Sequence, residues 1–169
     1  LSSYIQTLTN NSTNLKSIGD FAFRFQTNIT SFTFNEGLTG IGQLAFDGPD
    51  SPDMSLTGII LPDSLTNIGT YAFNDCRKCT KLRIGSGATS IGQGAFGELG
   101  VTAAAPNIEV EINCPTGAFQ SLNYSDKAFA GSKSGIYTIT GAYYQDYILP
   151  SVSGGIGISS GSIFVSGTY

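Results

Sequence analysis

No histidine and no tryptophan occur among the 169 residues, and each absence narrows what the chain does. Without histidine, the commonest general base is missing, and so is the imidazole of any Ser–His or Cys–His pair. A tetrahedral zinc site also loses its usual nitrogen ligand, and only Cys76, Cys79 and Cys114 offer sulfur. Basic residues are scarce: eight Lys and Arg against twelve Asp and Glu give a net charge of -4. Counterion-release binding needs a concentrated basic surface, so nucleic acid and anionic lipid are poor partners. No apolar run approaches the ~20 residues of a membrane-crossing helix, and the first residues lack the basic and apolar regions of a signal peptide. Because the chain opens mid-pattern at Leu1, an export signal or anchor is expected to lie outside it.

What the chain has in abundance is repetition. Ile-Gly-x-x-Ala-Phe occurs four times, beginning at Ile18, Ile41, Ile68 and Ile91, with spacings of 23, 27 and 23 residues. That period marks a solenoid with one strand per coil. Seven residues before a motif isoleucine stand Phe34, Leu61 and Ile84; two earlier stand Phe32, Ile59 and Leu82; three earlier again stand Ile29, Leu56 and Cys79. The last two positions show the period of 2 of a strand with one buried face, and a polar or Gly/Pro-rich turn follows, as in Asn35-Glu36-Gly37 and Pro62-Asp63-Ser64.

Stacking explains why the motif is so constant. Equivalent side chains of successive coils lie about 4.7–4.9 Å apart, so only compatible shapes form a column. Ile18, Ile41, Ile68 and Ile91 form one core column, and Phe23, Phe46, Phe73, Phe96 and, after an insertion, Phe129 form another. Alanine allows a close turn, and glycine supplies a backbone conformation or approach denied to other residues.

These features resemble the BspA-type, or Treponema-pallidum-type, leucine-rich repeats. Leu56 to Cys76 is the best match, following Leu-x-x-Ile-x-Leu-Pro-x-x-Val-x-x-Ile-Gly-x-x-Ala-Phe-x-x-Cys with Leu65 in place of Val. The resemblance implies a right-handed solenoid, mostly β and formally of the α/β type, with one parallel sheet, five to six coils of ~23 residues and little helix. One domain over residues 1–169 is expected, with a first strand at Tyr4–Leu8 and regular coils over 15–130. A strand at Ile108–Ile112 is clear, with five-residue insertions on either side. Over 131–169 the pattern degrades into a further coil with Leu149 and Ile156 in register, and capping strands at Ile136–Thr140 and Ile163–Val165.

Candidate chemistry yields to register. Cys76-x-x-Cys79 has redox or zinc spacing, but Cys76 falls where the resembled family carries a core cysteine, and Cys79 shares the column of Ile29 and Leu56. Both are expected to be core thiols, with a Cys76–Cys79 disulfide as the alternative. Asp47, Asp50 and Asp53 are spaced by three, too sparse for a calcium loop, and read as a solvated turn. Glu109 and Glu111 share one face of a strand, and register sets them opposite Lys81 and Arg83, which makes an ion-pair ladder rather than an acid/base pair. Sequons at Asn10, Asn11, Asn28 and Asn123 are glycosylation acceptors only in a eukaryotic secretory setting. No catalytic residue, cofactor or metal is expected.

The outward strand positions remain: Ser31, Thr33, Gly58, Ile60, Lys81, Arg83, Glu109 and Glu111. On a leucine-rich-repeat solenoid they line the concave sheet that receives ligands. Ser31, Thr33, Ile60, Lys81, Arg83, Glu109 and Glu111 are the candidate binding residues, with Ile60 as apolar anchor. Tyr143, Tyr144 and Tyr147 form a second aromatic cluster suited to sugar or protein contact, or to sealing a cap. The resemblance implies a non-catalytic extracellular or cell-surface protein that adheres to a protein partner, such as a host matrix or plasma protein. A structural spacer and a glycan-binding module are the alternatives.

Overall fold

A computed structural model describes residues 7–9, 12, 14–50, 52–103, 107–115, 118, 135–140, 156–159 and 162–165. Each of the first four repeats lays down a longer strand and then a two-residue strand. The longer set is β1 (Thr7–Thr9), β3 (Ser31–Thr33), β5 (Gly58–Ile60), β7 (Lys81–Ile84), β9 (Asn107–Ile112) and β10 (Gly135–Thr140). The short set is β2 (Ser17–Ile18), β4 (Gly40–Ile41), β6 (Asn67–Ile68) and β8 (Ser90–Ile91). Two more strands, β11 (Ile156–Ser159) and β12 (Ser162–Val165), end the order. No α-helix occurs among the described residues.

The expected single parallel sheet is replaced by three hydrogen-bonded sets: β1-β3, β2-β4-β6-β8, and a six-stranded sheet in the order β11-β12-β10-β9-β7-β5. The short ladder exists because the motif itself is extended. Each isoleucine points into the core, and the next glycine donates its N–H to the isoleucine carbonyl one repeat back, at 2.8 Å from Gly42 to Ile18, Gly69 to Ile41 and Gly92 to Ile68. Between β3 and β5 the long ladder is interrupted. The Thr57 N–H reaches the Thr30 carbonyl at 3.4 Å there, against 2.9 Å from Thr80 to Thr57 one repeat later. The stretched step falls in the 27-residue repeat, where the chain enters β5 by a longer route.

At the far end, β12 pairs antiparallel with β10 and β11 antiparallel with β12. Ile156 therefore does not open another parallel rung. Only two residues separate β11 from β12, enough for a hairpin and far short of the dozen that a parallel crossover needs. The expected strands at Ile136–Thr140 and Ile163–Val165 lie within β10 and β12, and β1 overlaps the expected first strand at residues 7 and 8. Residues 4–6, Phe129, Tyr143, Tyr144, Tyr147 and Leu149 lie outside the described residues.

Between the short strand and the next longer one, the chain makes a turn that is itself a third ladder. The fourth motif residue is left-handed in every copy: Phe21 (φ 60°), Leu44 (54°), Tyr71 (55°) and Gly94 (61°). That conformation costs roughly 1–2 kcal/mol for a residue with a side chain. It turns the N–H toward the next repeat, so Phe21 donates to Gln43, Leu44 to Thr70 and Tyr71 to Gln93, at 2.9–3.0 Å. Two residues on, the motif phenylalanines donate to the next alanine carbonyl: Phe23 to Ala45, Phe46 to Ala72 and Phe73 to Ala95, at 2.7–2.8 Å.

The rings follow their backbones. Phe46 and Phe73 stack at 5.1 Å and 6°, Phe73 and Phe96 at 5.7 Å and 4°, and Phe23 joins Phe46 at 5.0 Å and 22°. Phe46, Phe73 and Phe96 are fully buried, whereas Phe23 at the start of the column is only partly so. The motif glycine serves close approach. A Cβ on Gly42, Gly69 or Gly92 would stand 2.4–2.5 Å from atoms of the preceding repeat, chiefly backbone, whereas a Cβ on Gly19 meets nothing within 4 Å among the described residues.

This contrast predicts opposite outcomes for one chemical change. Gly69→Ala should lower unfolding free energy by about 1–3 kcal/mol, as overpacked sites do, because backbone has to move. Gly19→Ala should stay within about 0.5 kcal/mol of the parent. Denaturant unfolding of the two variants measures both, and equal losses would contradict the close-approach account.

Candidate functional site

The strand face is built by the period of 2 in β5, β7 and β9. Ile59, Leu82, Ile108 and Val110 point into the core, which sends their neighbours outward. Register sets Gly58 opposite Lys81 and Ile60 opposite Arg83, then Lys81 opposite Glu109 and Arg83 opposite Glu111. Ser31 and Thr33 are exposed on β3, in the separate pair with β1. The seven candidate residues therefore fall into two groups. Five share one ladder, and Ser31 and Thr33 lie across the stretched step.

The two ion pairs of the ladder differ in kind. Lys81 Nζ stands 3.4 Å from Glu109 Oε2, and both side chains are more than half exposed. Such a pair contributes about 0–1 kcal/mol. Arg83 is a strut. Its Nη1 donates to the Leu61 carbonyl at 2.8 Å, its Nη2 to Asp63 Oδ1 at 2.8 Å, and its Nε faces Glu111 Oε1 at 3.4 Å. Asp63 Oδ1 also accepts the Ser86 N–H at 3.0 Å, and these donors, the Ser86 amide foremost, hold its pKa below the ordinary value. Glu111 Oε1 in turn accepts from Asn113 Nδ2 at 2.7 Å. Ile60 is 44% exposed beside this network, and at Gly58, two residues before it, a Cβ would meet the Lys81 carbonyl at 4.0 Å. The face offers one apolar contact and a striped set of charges, which suits recognition of a macromolecular surface.

The three cysteines are fully buried, and none is in a disulfide. Cys79 Sγ contacts the Lys81 carbonyl at 3.2 Å, and Cys76 Sγ lies 3.8 Å from the Phe46 carbonyl. Burial pushes the Cys79 thiol up to about 12 and raises Cys76 well above its ordinary value, so both stay protonated as small core groups.

Sequence reading overlooked two features. One is a buried polar network behind the turns, where Asp47 (4% exposed) and Asp75 (6%) both accept from Asn74 Nδ2. Asp47 also holds Arg24 Nε at 2.9 Å, and Asp75 holds Arg77 Nε at 2.8 Å. Desolvation raises the Asp75 pKa, against the pull of Arg77. The three aspartates of the 47–53 segment go separate ways: Asp50 stands 4.0 Å from Arg77, and Asp53 accepts from Thr102 Oγ1 at 2.6 Å. The segment is thus tied down at both ends, by Asp47 and Asp53, while Asp50 between them is fully exposed. The second feature is the exposed Phe21, Phe25 and Tyr71. Arg24 lies over both phenylalanines, 5.6 Å from the Phe21 centroid and 4.2 Å from that of Phe25. Part of the signal was present: the residues after Ala-Phe are Asp47, Asn74-Asp75 and Gly97-Glu98, and the fourth motif position carries Phe21, Leu44 and Tyr71 outside the core register, whereas Phe25 lies beyond the motif.

The BspA type leucine-rich repeat region, as a family model, matches residues 2–125 in six copies. No curated protein and no solved structure matches the chain.

The arrangement predicts unequal stability effects along the ladder. Lys81→Ala should change unfolding free energy by less than about 1 kcal/mol. Arg83→Ala should cost more than Lys81→Ala, by about 1–2 kcal/mol, because it removes charge-assisted bonds to Leu61 and Asp63 together. Chemical denaturation at low salt compares them; a larger loss for Lys81→Ala would contradict the strut.

Proposed function

Because the chain belongs to the BspA-type leucine-rich repeat family, we propose that it is a recognition module that binds a protein partner through the face of β5, β7 and β9. Leucine-rich repeats serve protein–protein interaction in general, and BspA-type repeats are typical of surface proteins. The finer reading is ours: a right-handed solenoid, extracellular or on the cell surface, non-catalytic, and adhesive toward a matrix or plasma protein of a host. Among the described residues no helix is long and apolar enough to cross a membrane.

One observation carries this reading. Ile60 is held out at 44% exposure on a hydrogen-bonded ladder, beside Gly58, which has no side chain, and the charge stripe. An apolar side chain amid polar neighbours is the arrangement of an interface anchor, where a few residues carry most of the binding energy. Ser31 and Thr33 extend the face with small hydroxyl groups on the other side of the stretched step. A second reading, a structural spacer, draws support from Arg83, whose two terminal nitrogens already donate within the chain. A spacer would need no ligand.

The test is binding of the purified chain to immobilised matrix and plasma proteins, compared with a triple variant, Ile60→Ser, Lys81→Glu and Glu109→Lys. The exchange at 81 and 109 keeps an ion pair while inverting the charge pattern, and Arg83 is left in place because the fold uses it. A captured ligand should be bound at least about tenfold more weakly by a variant with unchanged circular dichroism. Undiminished binding would move the site off this face, and absence of binding by either protein would favour the spacer.

A further inference from the structure

The two rows of outward side chains on β5, β7 and β9 are not equal toward a partner. In one row Arg83 is drawn back onto the Leu61 carbonyl and Asp63, and Glu111 is held by Arg83 and Asn113. The other row is freer. Register sets Gly58, Lys81 and Glu109 side by side on the three strands. Lys81 and Glu109 face each other at 3.4 Å with both side chains more than half exposed, a weak contact that a partner's own charges can replace. Gly58 contributes no side chain, and a Cβ placed there meets the Lys81 carbonyl at 4.0 Å, which is ordinary contact. The row therefore presents a position without a side chain, bordered on its own strand by the exposed Ile60, then a positive charge, then a negative one.

The geometry points to an α-helical segment of the partner laid across the strands, with an apolar residue over Gly58 against Ile60, an acidic residue at Lys81 and a basic one at Glu109. This inference rests on the protein-recognition reading above and deepens it by naming what the face reads. Spacing selects the helix. The three positions stand on successive rungs, so the first and third lie about 9–10 Å apart. Helical residues at i, i+4 and i+7 share a face and span about 10.5 Å. Residues i, i+2 and i+4 of an extended strand span about 13 Å, too far to keep step with the rungs. Charge selects the order, because a base at the second rung would face Lys81 and an acid at the third would face Glu109, and opposed like charges repel. Gly58 then sets specificity, since any side chain there takes the place of the partner's apolar group, while a β-branched residue suits the strand itself.

The test is an amide NMR titration of the whole chain with two helix-constrained peptides. One carries Leu, Glu and Lys at i, i+4 and i+7, and the other carries Leu, Lys and Glu at the same places. The first should bind at least about fivefold more tightly than the second and shift the amides of Gly58, Ile60 and Lys81. Exchanging the charges, Lys81→Glu with Glu109→Lys, should invert that preference, which a merely loosened fold cannot do. Gly58→Val should weaken the first peptide at least about fivefold while its thermal melt stays at or above that of the parent. Equal binding of the two peptides, a preference that survives the charge exchange, or full binding by Gly58→Val would overturn the helix. So would shifts confined to other faces, or no binding of either peptide at millimolar concentration. The wider reading fails separately, in undiminished binding of a captured matrix or plasma protein by the triple variant.

Discussion

Everything in this structure depends on the constraint that one repeat must lie on the next at backbone hydrogen-bonding distance along three lines at once. The longer strands, the Ile-Gly strands and the turns each pass their amides to a neighbouring repeat. A residue is thereby fixed by its column more than by its neighbours in sequence. Glycine at 42, 69 and 92 admits the backbone behind it, phenylalanine at 46, 73 and 96 fills the space above, and left-handed residues at 21, 44 and 71 aim the turn amides. Phe25, Asp75 and Glu98 are left-handed as well, and the cost of these conformations is offset by the hydrogen bonds that the turns make to neighbouring repeats.

The same constraint delivers the functional face. Because Leu82, Val110 and Ile59 are locked inward, Lys81, Arg83, Glu109, Glu111 and Ile60 are presented at fixed spacing, without a loop to order on binding. Preorganisation of this kind lowers the entropic cost of recognition. The charges do not all remain available, however. Arg83 is spent on Leu61, Asp63 and Glu111, which leaves Lys81, Glu109 and Ile60 as the groups that a partner meets with least competition.

Much of this was legible in the residues. The four motif copies set the register, and from it followed the Phe column, the inward strand residues, and the pairing of Lys81 with Glu109 and of Arg83 with Glu111. The burial of Cys76 and Cys79 followed from their columns. What the sequence concealed had physical causes. Two-residue strands at Ile18, Ile41, Ile68 and Ile91 are too short to show a period, so a second ladder was not foreseen. The interruption between β3 and β5 depends on how a four-residue excess is accommodated, which no side-chain pattern encodes. The hairpin β11–β12 was hidden because Leu149 and Ile156 happen to repeat the spacing of seven. The network of Asp47, Asn74 and Asp75 joins residues whose partners, Arg24 and Arg77, are contributed by different turns.

The measurement that bears most directly on the stacked turns is amide hydrogen exchange of residues that belong to no strand. The N–H groups of Leu44, Phe46, Tyr71 and Phe73 lie in turns, yet each donates to the next repeat at 2.7–3.0 Å. Protection of these amides equal to that of Leu82 in the sheet is the predicted result, because repeats held by three ladders open together. Exchange of the four turn amides at the rate of an exposed loop, with Leu82 still protected, would show that the turns do not hold the repeats together.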